Sequence, residues 1–73
     1  MVTYTVYGSE DGLIHATHRK REAINKALDY SRSERTKRDV AREIDEQLED
    51  YWHFIIRLGD GRTEAELGVW DSK

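Results

Sequence analysis

Seventy-three residues, 37% of them hydrophobic and 37% charged, suffice for one compact domain spanning 1–73, near the lower limit for a core that folds unaided. There is no cysteine, which excludes disulfides and thiolate metal sites, and no apolar run approaches the ~20 residues of a membrane helix. The net charge of −3 hides a separation: residues 15–38 hold eight Lys/Arg against Glu22, Asp29 and Glu34, and residues 39–50 hold six acids against Arg42.

Such a field orients a partner without identifying it. A domain this small also gains stability from a partner or from a second copy, so a homodimer is one expectation. The opening "MVTYTVYGSEDG" lacks the basic-then-apolar layout of a secretory leader, and proline is absent throughout. The expectation is a folded cytoplasmic domain.

In chain order, "VTYTVY" alternates Val2, Tyr4 and Val6 with Thr3, Thr5 and Tyr7, the period of a half-buried strand. "GSEDG" supplies a turn and "LIHAT" resumes the extended pattern, completing a hairpin. Ala23, Ile24, Ala27 and Leu28 then form one helical stripe, and Val40, Ala41, Ile44, Leu48 and Tyr51 a second. At ~100° per residue the two stripes point about 150° apart on one straight rod, so one sheet cannot cover both. "SRSERTKRDV" is therefore a corner between two helices. Ser31 with Glu34, and Thr36 with Asp39, have capping-box spacing.

The chain ends on a second hairpin, "WHFIIRL", "GDGR" and "TEAELGVW". Trp52, Phe54, Ile56 and Leu58 share one face, answered by Ala65, Leu67 and Val69, and Gly68 is a candidate bulge. These elements predict an α+β fold: a small single-layer antiparallel sheet of two hairpins with two helices packed on one face, in the order ββααββ. The expected core is Tyr4, Val6, Ile14, Ala16, Ile24, Leu28, Val40, Ile44, Leu48, Phe54, Ile56 and Leu67. An alternative keeps one long helix and buries its second stripe against a symmetry mate.

Signals for chemistry are few. His15 and His18 are three apart and point to opposite faces of a strand, and no carboxylate is placed to complete a zinc set with His53. No metal site and no cofactor are expected. Ser9, Ser31, Ser33 and Ser72 read as turns, caps or tail, and the glycine-containing stretches are hairpin turns rather than phosphate loops. Nothing here marks an enzyme.

Binding surfaces are better represented. Arg19, Arg21, Arg35, Lys37 and Arg38 form a basic segment with the composition of a nucleic-acid contact, interrupted by acids. The second helix has a polar side built from acids, with Glu43, Glu46, Glu49 and Asp50 as an electrostatic contact for a basic groove on another protein. By alternation the uncovered sheet face presents Thr3, Thr5, Tyr7, Leu13, His15, His53, Ile55, Arg57, Glu66 and Trp70. Tyr7, Ile55 and Trp70 are the apolar anchors such a face would use.

In size, lack of cysteine, charge segregation and hairpin–helix–hairpin layout, the chain resembles small phage-encoded inhibitor proteins, the anti-CRISPR proteins among them. The resemblance lies in whole-chain organisation, and no site residue is carried over from it. It implies a non-enzymatic protein-binding module that occludes a nucleic-acid-binding surface of a host protein. The competing expectation is a small nucleic-acid-binding protein that uses residues 19–38. No membrane partner is expected.

Overall fold

The computed structural model describes residues 1–72. It contains β1 (Val2–Gly8), β2 (Gly12–Thr17), α1 (Lys20–Ser31), α2 (Lys37–Asp50), β3 (His53–Gly59) and β4 (Glu64–Asp71). The fold is the α+β arrangement ββααββ, with one antiparallel sheet of order β2-β1-β4-β3. The first and last strands thus pair at the centre, and Met1 donates its terminal ammonium to the Ser72 carbonyl at 2.9 Å. Among the described residues no helix is long and apolar enough to cross a membrane.

Alternation becomes three inward rows running across β1, β4 and β3. They are Tyr4–Val69–Phe54, Val6–Leu67–Ile56 and Gly8–Ala65–Leu58. Helix α1 lies over all four strands and adds Ala23, Ile24 and Ala27; α2 packs beside it and adds Val40 and Ile44. Val6, Val40, Ile44, Leu67 and Val69 are fully buried, so this is one continuous core on one side of the sheet. Burying each of these side chains contributes about 1.5–3 kcal/mol relative to exposure.

The helical stretch breaks where the stripe phases require it, between Ser31 and Lys37. Thr36 is the N-cap of α2, its hydroxyl accepting from the Asp39 amide at 3.1 Å. Ser31 does not start a helix. It is the buried last residue of α1, and the chain turns at Arg32, which has φ 54° and donates its N–H to the Leu28 carbonyl. The left-handed residue closes the orphaned carbonyls of the last turn.

Strand β2 corrects the expected facing of its residues. Val6 pairs with His15 and Tyr7 with Leu13, so Ile14 is an extra, unpaired residue in a β-bulge. Past that point every β2 side chain changes face. His15 and Thr17 turn toward the helices, while Ala16 stands exposed, opposite Thr5. Ala16 is therefore not core, and His15 does not belong to the uncovered face. Gly68, expected as a bulge, pairs regularly with both Thr5 and Ile55. Trp52 and Tyr51 precede the first pairing of β3 and remain exposed rather than packing inward.

Candidate functional site

The uncovered face is built by the side chains the inward rows leave behind. Its outward rows read Leu13–Tyr7–Glu66–Arg57, then Ala16–Thr5–Gly68–Ile55, then Thr3–Trp70–His53. Tyr7, Leu13, Ile55 and Trp70 are between 41% and 57% exposed, which for large apolar side chains on one sheet is a continuous patch rather than scatter. His53 stacks on Trp70 with ring centroids 5.2 Å apart and planes within 13°, and Trp52 tilts against His53 with centroids 4.2 Å apart. Aromatic groups held by one another in this way meet a partner with little rotamer freedom left to lose.

At the centre is a shallow depression of about 160 Å³ lined by Thr5, Tyr7, Ile55, Glu66, Gly68 and Trp70. Gly68 creates it. A Cβ there would stand 2.6 Å from Thr5 Oγ1 and 3.2 Å from Trp70 Nε1, so the missing side chain is what lets the indole lean inward. Glu66 meets Arg57 at 3.5 Å on the rim, an exposed pair that screens easily.

Charge borders the patch at one end. Both hairpin turns fall at the same end of the sheet because Gly8 pairs with Ala65, and Ser9 and Glu64 are joined by two hydrogen bonds. Glu10, Asp11, Asp60 and Glu64 are therefore gathered there, all exposed, with Arg62 among them. The amides of Arg62 and Thr63 donate to Asp60, which holds its carboxyl below the usual range. Sequence reading missed this acidic end. Its signal lay in "GSEDG" and "GDGR", two turns that only the β1–β4 pairing brings together.

The acidic helix lies elsewhere. Both helices occupy the covered face, so Glu43, Glu46, Glu49 and Asp50 are on the far side of the molecule from Tyr7, Ile55 and Trp70. Glu43 is moreover engaged, accepting from Gln47 and meeting Arg35 at 2.9 Å. One flat partner surface cannot touch both sets.

The basic segment divides as well. Arg35 is held by Asp39 at 2.7 Å and by Glu43, and the hydrogen bond to Asp39 pushes its pKa further up. Arg19, at the N-cap of α1, lies on an outer flank with Glu22 and Asp29. Arg21, Lys37 and Arg38 come together with Lys20 in one groove between the helices. His15, on edge strand β2, and His53, on edge strand β3, are at opposite edges of the sheet and on opposite faces. Among the described residues no three His, Cys, Asp or Glu side chains gather as metal ligands would.

No family model, curated protein or solved structure matches this chain.

Proposed function

We infer that the chain is a non-enzymatic protein-binding module that docks through the uncovered face of its sheet. The partner surface would offer an apolar socket for Trp70, Ile55 and Tyr7, bordered by cations opposite the acidic hairpin end. The observation that carries this reading is the patch itself, preorganised around Gly68 and flanked by Glu10, Asp11, Asp60 and Glu64. Apolar anchors supply affinity, and the charged border speeds docking and rejects acidic surfaces. A socket edged by cations is the chemistry of a nucleic-acid-binding groove, so occupation by this chain would exclude nucleic acid. That is inhibition by occlusion, with the acids of the hairpin end, rather than those of α2, as the electrostatic contact.

The test compares three forms of the protein as bait in its native source. Wild type and the helix variant E46K/E49K should capture the same stoichiometric partner, and the face variant I55D/W70S should not. The purified partner should release bound nucleic acid when wild type is added. Capture that survives I55D/W70S, or a partner that keeps its nucleic acid, overturns the reading. So does a concentration-dependent dimer of the protein itself that the same substitutions dissolve.

A further inference from the structure

A second surface lies on the opposite side of the molecule and does not depend on the sheet-face reading. Between α1 and α2 runs a groove of about 440 Å³. The first half of α1 contributes Lys20, Arg21, Ile24 and Asn25, and the opening turns of α2 contribute Lys37, Arg38 and Ala41. Its volume is within the ~300–1,000 Å³ range of small-ligand sites.

Four cations line it, and only Lys20 is committed, at 2.8 Å from Asp45. Among the described residues Arg21, Lys37 and Arg38 make no ion pair, as Arg32 of the corner makes none, whereas Arg35 is doubly paired. Three exposed cations beside one cleft repel one another modestly, and an anion entering the cleft relieves that repulsion. The floor provides apolar contact through Ile24 and Ala41. Asn25 has a buried side-chain carbonyl oxygen without a hydrogen-bond partner, an acceptor that suits a hydroxyl or N–H donor of a ligand rather than its phosphate.

The geometry points to this groove as a binding site for a nucleotide-sized phosphate ester, either free or as a unit of single-stranded nucleic acid. Two arginine forks match phosphate oxygens in pairs, the lysine adds a point charge, and the apolar floor accommodates a sugar or base. The acids of α2 lie outside the groove lining, which favours a short or flexible ligand over a long duplex.

The experiment uses the full chain and two fluorescent probes, a 12-nucleotide oligothymidine and adenosine triphosphate, followed by anisotropy. Binding of oligothymidine and not of the nucleotide assigns the source as nucleic acid, and the reverse assigns a free ligand. At about 50 mM salt each phosphate contact removed should cost roughly tenfold, and the salt slope for three contacts should be near −2. R21E/R38E should therefore weaken binding by roughly a hundredfold. The control R42E/R62E reverses as many charges outside the groove and should change it less than about threefold by screening. Circular dichroism checks folding, and R21Q/R38Q repeats the test with a smaller perturbation if the reversal unfolds the chain. The proposal is overturned if neither probe binds, if the groove and control variants lose affinity equally, if R21Q/R38Q binds as wild type, or if polyglutamate displaces the probe as well as phosphate does.

Discussion

The Glu22 carboxylate of α1 stands 3.1 Å from His15 Nε2 because β2 carries one residue more than β1 beside Val6 and Tyr7. The bulge at Ile14 turns the ring from the open face to the helix side. The buried nitrogen makes no well-aligned hydrogen bond. The Thr17 hydroxyl, inward for the same reason, and after it His15 hold that carboxyl below its ordinary value of 4.5. A group whose folded pKa is depressed adds stability that is fully present above its unfolded value and is lost as the pH falls through the folded one. E22Q should thus flatten the acid side of the stability profile below about pH 4.5, read from urea midpoints across the acid range. Parallel acid profiles for the two proteins would remove Glu22 from the account.

Ala16 tests the bulge from the other direction. On the exposed side of β2 it should accept Lys at a cost within about 0.5 kcal/mol. An uninterrupted register would bury it against α1 and make the same change disruptive. Urea denaturation of A16K distinguishes the two, and a loss of several kcal/mol would show that Ala16 faces inward.

Strands β1, β3 and β4 were legible because each alternates between side chains of different character, as Phe54, Ile56 and Leu58 do with His53, Ile55 and Arg57. "LIHAT" misleads: Ile14 and Ala16 on one parity are more apolar than Leu13 and His15 on the other, so alternation favours the unbulged register. The extra residue leaves no mark in that pattern. The helix break was readable from angular phase alone, because 150° between stripes is geometry rather than propensity. The candidate face was legible in its exposed apolar residues, Tyr7, Ile55 and Trp70, and not in the charges beside it. Which acids border them depends on pairing between the ends of the chain, and local periodicity is blind to that. The acids of α2, conspicuous in the sequence, lie behind the sheet.

The core leaves little margin. Ile44 of α2 is fully buried within the core cluster, and Ile44→Ala should cost about 2–5 kcal/mol. A chain of this length has roughly 4–11 kcal/mol in total. I44A should therefore melt well below wild type when followed by circular dichroism. Leu48, one turn on and half-buried, should be less sensitive to the same truncation. Equal losses at the two positions would mean that α2 is rotated from the placement described.

Thr36 and Ser31 separate the two capping-box spacings. Thr36 satisfies the Asp39 amide at the start of α2, so Thr36→Ala should cost about 1 kcal/mol. Ser31 caps no helix start, although its Oγ accepts weakly from Ser33 at 3.4 Å inside a buried corner. Replacing it with Ala removes one marginal contact and should cost less than T36A in the same urea titration. The reverse order would make Ser31 the more important residue of the corner.

Arg32 offers the opposite sign. It is the one non-glycine residue with positive φ among those described, at 54°, and an L side chain there costs roughly 1–2 kcal/mol relative to glycine. Arg32→Gly removes that cost, while the freer unfolded chain takes back about 0.4–1 kcal/mol. The guanidinium makes no hydrogen bond or ion pair among the described residues, so little else is lost. The net expectation is a gain of a few tenths to about 1 kcal/mol, a rise of several degrees in Tm for a domain of this size. A fall in Tm would mean that the Arg32 side chain supports the corner through contacts worth more than the backbone strain it imposes.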